Sequence, residues 1–177
     1  AGKPVWLLAR AKGRDRWAAI GFRMAFSLAS LGPLVLLIWP ATRHLDFLWE
    51  HSSSAALGAV GMFVAGIGAM IAFAAQMSMG SSWRVGVAQG ETGNPVSDGL
   101  YRFSRNPTFV GQFMLLAGVS LAIAAIPTIL APLIFFWSAS TQIRSEETAL
   151  RQALGPDYDR YAAAVPRWIS LRHGIKP

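Results

Sequence analysis

Two long apolar runs occupy the first half of the chain. The first extends from about Gly21 to Trp39 with a charge only at Arg23, and the second extends from Ala55 to Met77 with none. Each is long enough to cross roughly 30 Å of hydrocarbon as an α-helix. Small residues recur along the second run, which lets helix backbones approach closely in lipid. The pattern predicts two transmembrane helices.

A third apolar run, from Phe109 to about Ile143, is too long for one span and short for two. Pro127 and Pro132 interrupt it. We therefore expect a tight helical hairpin that turns near residues 125–127, with its second helix continuing beyond the membrane surface to residue 147. The predicted fold is an all-α polytopic membrane protein with about four transmembrane helices in a single domain, residues 1–177.

Two further segments flank this hairpin. Residues 78–107 are polar and punctuated by glycine, and they are longer than a connection without structure or function usually is. After the hairpin, Gly155 followed by Pro156 is typical of a helix end and a new helix start. We expect a short helix from about Pro156 to Val165, with Tyr158 and Tyr161 on one face.

Composition and charge favour a membrane over a nucleic acid as the partner. The chain is 53% hydrophobic and 14% charged, with 16 Lys and Arg against 9 Asp and Glu. The basic residues lie in the N-terminal part, in residues 78–107 and in the C-terminal part, with Arg43 as the exception. The excess of Lys and Arg in cytoplasmic segments then predicts that both termini and the 78–107 loop are cytoplasmic, as in a protein of the bacterial inner membrane.

The basic N-terminal segment, residues 1–20, is predicted to be amphipathic and to lie at the membrane interface before the first helix. Residues 168–177 are predicted to form a C-terminal tail. The chain has no cysteine, which excludes disulfides, thiolate metal sites and a cysteine nucleophile. His44, His51 and His173 have no partner at a metal-ligand spacing, so no metal site is predicted. The sequence is silent on oligomeric state.

The densest cluster of special residues precedes the third apolar run. Gly99 permits a turn, and Ser104 or Asn106 can cap a helix that has Pro107 in its first turn. Arg105 would then lie beside free N–H groups at the helix start, which suits a carboxylate or a phosphate. An interfacial turn that only orients the helix against lipid headgroups explains the same residues equally well.

Two adjacent acids end the last apolar run. Gln142 and Glu146 are four residues apart and share a helix face, while Arg144 and Glu147 lie on a neighbouring one. Carboxylates are costly beside hydrocarbon, so something must compensate them. Arginines of the 78–107 loop or a bound cation would do so.

Six short motifs, in order along the second half of the chain, together resemble the C-terminal signature of the isoprenylcysteine carboxyl methyltransferase family, whose wider group includes bacterial relatives and the phospholipid N-methyltransferases. The resemblance covers about half the chain, from near Met79 to Arg167. The motifs are Ser82-Trp83-Arg84, Gly99-x-Tyr101, Arg105-Asn106-Pro107-x-Phe109-x-Gly111, Glu146-Glu147-x-x-Leu150, Gly155-x-x-Tyr158-x-x-Tyr161 and Val165-Pro166-Arg167.

The resemblance implies a methyltransferase that binds S-adenosylmethionine at the cytoplasmic face and methylates a lipophilic or small apolar acceptor. It implies catalytic roles for Glu146, Arg105 and Arg144, with Gln142 and Glu146 beside a lipid-facing substrate channel. Carried over residue by residue, the cofactor-binding positions are Asn94, Pro95, Val96, Tyr101, Asn106, Pro107, Thr108 and Phe109.

Three positions depart from the family pattern. Asn106 replaces the usual histidine, Phe109 the usual tyrosine, and Gln142 an arginine that serves carboxylate acceptors. Asparagine can still hydrogen-bond a cofactor. The sequence does not distinguish a carboxylate, a thiol or an amine as the group that accepts the methyl. Two other functions remain as alternatives: a reductase that binds a nicotinamide cofactor, as the related sterol reductases do with many more spans, and a non-catalytic membrane module.

Overall fold

The computed structural model describes residues 13–50, 54–79 and 99–169. They form six α-helices and two short 3-10 helices, and the described residues contain no strand, which confirms the predicted all-α class. The α-helices are α1 Arg14–Ile38, α2 Phe47–Glu50, α3 Ala55–Met79, α4 Pro107–Ala122, α5 Ile126–Leu154 and α6 Pro156–Ala164. The 3-10 helices are Pro40–Leu45 and Gly99–Arg102.

The membrane-spanning helices are α1, α3 and α5, each long and apolar enough to cross a bilayer. Helix α4 has 16 residues and therefore rises only about 24 Å. The predicted architecture of about four apolar helices is confirmed as three long helices and a shorter one. Helix α1 starts at Arg14, so the described part of the predicted interfacial segment belongs to the first long helix; residues 1–12 lie outside the described part.

Helices α3 and α4 pack backbone to backbone in an antiparallel pair. A Cβ atom added to Gly68 would lie 2.6 Å from the carbonyl oxygen of Gly111, and one added to Gly61 would lie 2.7 Å from that of Gly118. These distances are far inside van der Waals contact, so only glycine fits at these positions. Of the small residues predicted to bring helices together, Gly61, Ala65 and Ala72 lie at this contact, whereas Gly66 and Ala69 are exposed and Gly68 takes part instead.

Helices α1 and α5 form the second antiparallel pair. Gly21 lies against the side chain of Ser138, and Gly32 lies against the ring of Pro127. The fully buried Phe135 belongs to the apolar core beside this contact. Side chains fill this interface, whereas backbone contacts dominate the α3–α4 interface.

The predicted hairpin turn joins α4 and α5 over residues 123–125, which confirms its position. Thr128 is completely buried at this turn. Its hydroxyl accepts a hydrogen bond from the N–H of Ala125 at 3.2 Å and donates one to the carbonyl oxygen of the same residue at 2.8 Å. One side chain thus satisfies the backbone of a tight turn at the apolar end of the hairpin.

The loop between α1 and α3 closes over this turn through Asp46, which is 3% exposed. One carboxylate oxygen accepts the N–H of Ile126 at 2.8 Å. The other accepts the N–H groups of Leu48 and Trp49 at the start of α2, at 3.1 and 3.2 Å. Asp46 therefore ties α2 to the first residue of α5.

At the opposite end of the bundle, α1 and α4 begin and α3 and α5 end; we call this the polar end. The hydroxyl of Ser145 on α5 donates to the Asp15 carboxylate on α1 at 2.6 Å there. Helix α5 stops at Gly155, whose φ of 53° lies in the left-handed region. Helix α6 follows at once, as predicted, and the rings of Tyr158 and Tyr161 lie 6.3 Å apart.

Candidate functional site

The 3-10 helix Gly99–Arg102 leads into α4 at the polar end. Gly99 has φ 60°, a conformation that glycine adopts without strain. The hydroxyl of Tyr161 on α6 donates to the carbonyl oxygen of Tyr101 at 3.1 Å. Burial raises the pKa of Tyr161 to about 12, so this phenol stays protonated as a donor. The turn is therefore held between α6 and α4.

The side chain of Tyr101 lies beside Thr108 of α4 and Glu146 of α5. Burial raises the pKa of the Tyr101 phenol, an effect that the neighbouring Thr108 side chain reduces and the Glu146 carboxylate increases. Three residues predicted for the site, which come from three separate elements, are thus brought together.

Gln142 joins this group on the predicted helix face. Its amide nitrogen donates to the Glu146 carboxylate at 2.8 Å. The amide oxygen of Gln142 and the hydroxyl of Thr108 are buried and make no hydrogen bond of normal geometry within the described residues. Buried polar atoms without partners are costly, so both atoms are candidates for contact with a ligand.

Asp15 adds a second carboxylate to this region. Ser145 holds it, and its charge acts on Glu146. In the part of the chain that the structure describes, neither Asp15 nor Glu146 is ion-paired with Lys or Arg. We call Asp15, Tyr101, Thr108, Gln142 and Glu146 the Glu146 cluster. Its two uncompensated acids favour a positively charged ligand.

Glu147, the next residue, lies in a different environment and is 3% exposed. Arg167 binds both carboxylate oxygens, with its Nε at 3.0 Å and its Nη2 at 2.6 Å. Arg105 Nη1 lies 3.0 Å from the same carboxylate and donates to the hydroxyl of Tyr158 at 3.4 Å. Such two-point arginine contacts are among the stronger polar interactions in proteins. We call Arg105, Glu147, Tyr158 and Arg167 the Glu147 cluster.

The charges of this cluster support one another. The hydrogen bonds from Arg167 to Glu147 raise the pKa of the guanidinium, which therefore stays charged. Burial raises the pKa of Tyr158, although the hydrogen bond from Arg105 opposes that rise. The predicted compensation by arginines of the 78–107 loop is thus seen at Glu147, through Arg105, while no arginine of the described part of that loop pairs with Glu146.

Residues 165–169, which we call the C-terminal strap, cross the start of α4. The carbonyl oxygen of Arg167 accepts hydrogen bonds from the Asn106 amide at 3.0 Å and the Ser104 hydroxyl at 3.4 Å. The N–H of Arg105 donates to the carbonyl oxygen of Pro166 at 3.0 Å. Arg167 therefore connects the start of α4 with the end of α5.

This arrangement corrects the predicted helix cap. Asn106 occupies the N-cap position, but its side chain caps nothing, because it bonds Arg167 instead. Ser104 accepts the N–H of Asn106 at 3.0 Å, before the helix begins. Pro107 is buried at the first helical position, as predicted. The amide nitrogen of Asn106, a residue expected to bind the cofactor, is thus hydrogen-bonded to the C-terminal strap.

Phe109 packs against the apolar core. Its ring stacks on Phe22 of α1 with centroids 5.6 Å apart, and its centroid lies 6.4 Å from that of Phe135. The phenylalanine at this position therefore packs α4 against α1 and α5, one residue after Thr108 of the cluster.

The remaining predicted residues do not join the cluster. Arg144 is exposed, and its Nε donates to the carbonyl oxygen of Ser140 at 3.0 Å. It lies about 200° around α5 from Glu146, on the opposite face. Arg105 belongs to the Glu147 cluster. Asn94, Pro95 and Val96 lie outside the described residues.

Sequence reasoning missed two residues that the structure places at the polar end. In the sequence, Asp15 is the single acid of a basic segment and no site role was predicted for it. Arg167 belongs to one of the six motifs, but no function was predicted for it either. A lone acid among five basic residues, Lys3, Arg10, Lys12, Arg14 and Arg16, was the available signal for Asp15. The described residues contain no group of three or more His, Asp or Glu side chains that could hold a metal ion.

Comparison with known proteins places these features in a family. The sequence model of the isoprenylcysteine carboxyl methyltransferase family matches residues 59–152. A protein-S-isoprenylcysteine O-methyltransferase of Schizosaccharomyces pombe is 32% identical over 77 residues, which are 43% of this chain and 33% of that relative. The chain thus aligns with about a third of the relative's length. No solved structure matches the chain. Because the matched region spans more than half of the 177 residues, this integral membrane protein belongs to the isoprenylcysteine carboxyl methyltransferase family.

Proposed function

We propose that the protein is an S-adenosylmethionine-dependent methyltransferase whose cofactor binds at the Glu146 cluster. The observation that carries this proposal is the lack of a cationic partner for Glu146, within the described residues, directly beside the fully compensated Glu147. Tyr101, Thr108, Gln142 and Glu146 all lie in the region matched by the family model.

The residues of the cluster fit a cationic ligand with polar groups. S-adenosylmethionine carries a sulfonium and an ammonium, which the carboxylates of Glu146 and Asp15 would attract. The buried Gln142 oxygen has no hydrogen-bond partner among the described residues, and the Thr108 hydroxyl lies beside the Tyr101 phenol. Tyr101 adds a phenol that burial keeps protonated.

The chemistry required of the protein is mostly positioning. When bound, the sulfonium cofactor supplies an already activated methyl group. Glu146 would balance the positive charge, and Tyr101 and Thr108 would orient polar groups next to it. The stacked rings of Phe22 and Phe109 would exclude water from their side. Fixing the geometry of two reactants accounts for a large part of the rate in such reactions.

The surroundings favour an amphiphilic acceptor. The Glu146 cluster lies at the polar end, and an aromatic core begins one residue further along α4, at Phe109. A lipophilic tail would therefore contact Phe22 and Phe109 while the nucleophile reaches the polar atoms. The relative from Schizosaccharomyces pombe is named for an S-isoprenylcysteine acceptor, and we propose a lipophilic or small apolar acceptor here, with an oxygen, sulfur or nitrogen nucleophile.

The polar end is proposed to face the cytoplasm. Arg16, Arg102 and Arg160 are exposed at this end or on the helix that follows it, and Arg43 is at the other. The preference of arginine for cytoplasmic flanks supports a cytoplasmic location for both termini. In a bacterium this membrane would be the inner membrane, where the water-soluble cofactor and a lipid-borne acceptor both reach the cluster.

Calorimetric titration of the detergent-solubilised protein tests the proposal. S-adenosylmethionine and its uncharged product S-adenosylhomocysteine are the ligands, and NADPH is the control. Because Glu146 would interact with the sulfonium, Glu146→Gln should weaken binding of S-adenosylmethionine at least about tenfold, or about 1.4 kcal/mol, and should weaken the product less. Asp157→Asn, which makes the same charge change on the exposed face of α6, should alter neither affinity.

Three results would contradict the proposal. Equal loss of both ligands in Glu146→Gln would remove the sulfonium contact from this residue. Binding of NADPH alone would favour a reductase, and binding of none of the three ligands would favour a non-catalytic membrane module.

A further inference from the structure

A shallow apolar groove runs along the outer side of the α1–α5 interface, near the polar end. Its volume is about 460 Å³, within the range of roughly 300–1,000 Å³ typical of ligand pockets. The groove is lined by Trp17, Ile20, Gly21 and Met24 of α1 and by Leu133, Ile134 and Trp137 of α5.

The groove opens toward the surroundings of the protein. Trp17 is 63% exposed, Leu133 is 62% exposed and Trp137 is 54% exposed. Gly21 forms the floor because it brings α1 close to Ser138 of α5. Two tryptophans beside the polar end are typical of the depth at which lipid headgroups meet hydrocarbon. The walls therefore suit a lipid chain whose polar part lies toward the polar end.

Arg144 lies where that polar part would be. Leu133, Trp137 and Arg144 follow one another at spacings of four and seven residues, so they form one stripe along α5. The bond from Arg144 Nε to the carbonyl oxygen of Ser140 directs the side chain back toward Trp137. The seven residues between Trp137 and Arg144 rise about 10.5 Å.

The guanidinium of Arg144 has no ion pair within the described residues. Among the nearby acids, Asp15 is held by the Ser145 hydroxyl and makes no ion pair with Arg144, and Glu147 is held by Arg105 and Arg167. An uncompensated cation therefore stands above an apolar groove, which is complementary to an anionic amphiphile.

We propose that this groove and Arg144 form a binding site for an anionic phospholipid of the leaflet at the polar end. An acyl chain lies between Trp17 and Trp137, and the phosphate contacts Arg144. Because Arg144 and Glu146 point to opposite faces of α5, this lipid site is separate from the Glu146 cluster and does not depend on the function proposed for it.

Native mass spectrometry tests the site on the full chain in detergent, titrated with phosphatidylglycerol or phosphatidylethanolamine of identical acyl chains. The first phosphatidylglycerol should bind at least about fivefold more tightly than phosphatidylethanolamine, because its headgroup has a net negative charge whereas an ammonium offsets the phosphate of phosphatidylethanolamine. Arg144→Gln should abolish that preference, and Arg144→Lys should keep most of it. Leu133→Trp, which fills the groove, should weaken both lipids.

Arg160→Gln is the matched control, since Arg160 is exposed on α6, which does not line the groove. It should leave the preference intact. An equal loss in Arg160→Gln and Arg144→Gln would show attraction by overall charge and overturn the proposal, as would unchanged lipid binding in Leu133→Trp. Loss of S-adenosylmethionine binding in Arg144→Gln would assign Arg144 to the Glu146 cluster and refute a separate lipid site.

Discussion

Two neighbouring glutamates at the end of α5 belong to regions with opposite electrostatic character. Glu147 lies among two arginines and a tyrosine that satisfy its charge. Glu146 has one amide donor and a second carboxylate near it. Among the described residues, cations of the chain compensate Glu147 and none pairs with Glu146, which is consistent with a structural role for Glu147 and with the ligand-binding role proposed for Glu146.

The difference follows from helix geometry. Adjacent residues on an α-helix point about 100° apart. Glu147 therefore faces α4, α6 and the C-terminal strap, which carry Arg105, Tyr158 and Arg167. Glu146 points away from those arginines, and the charge that acts on it within the described residues is that of Asp15 on α1. One residue of offset decides which role each acid has.

The largest expected effect breaks the closed cluster. Glu147→Ala leaves the guanidinium groups of Arg105 and Arg167 without their shared carboxylate, and loss of one partner of a buried ion pair costs about 3–5 kcal/mol. The free energy of unfolding in detergent micelles, measured by denaturant titration, should fall by that amount. Glu146→Ala is the control and should change stability by less than about 0.5 kcal/mol. Similar losses in both variants would refute the distinction.

A smaller effect is expected from Arg167→Lys. Lysine keeps the charge but cannot bind both carboxylate oxygens in a planar fork. The variant should lose about 1–2 kcal/mol in the same titration, because one charge-assisted hydrogen bond is lost. Arg160→Lys, on an exposed arginine of α6, should be neutral. If Arg167→Lys were as stable as the parent, the two-point contact would have no energetic importance.

The smallest effect is expected from Tyr158→Phe. This change removes only the hydroxyl that accepts a long, 3.4 Å hydrogen bond from Arg105, and it should cost about 0.5 kcal/mol. The ring and its contact with Tyr161 remain. A loss above that of Arg167→Lys would mean that the phenol, and not the strap, organises the closed cluster.

The helices could be predicted from the sequence because their signal is local. Apolar run length located α1, α3 and the α4–α5 hairpin, and the Gly155-Pro156 pair located α6. Glycine spacing in α3 indicated a close helix contact. The helix that α3 contacts could not be predicted from the α3 sequence alone. Gly61 packs against Gly118 and Gly68 against Gly111, and these pairs depend on how two distant helices align.

The candidate site was predictable only in part, because its contacts join distant segments. Tyr101, Thr108, Gln142 and Glu146 were identified from motif resemblance and are brought together. The roles of Arg105 and Asn106 differ from the expected ones, because the C-terminal strap, about 60 residues further along, binds them. The spacing of residues within one helix gives no information about contacts with a segment so far along the chain.

The contact between Asp46 and Ile126 spans 80 residues of chain and joins segments that are synthesised at different times. The first N–H of α5 has its acceptor on a loop made long before it, on the side of the bundle away from both candidate sites. A hairpin inserted before that loop docks leaves a carboxylate and an amide without their partners. Because synthesis runs from the N-terminus, the acceptor that fixes the starting point of the last long helix is made before that helix.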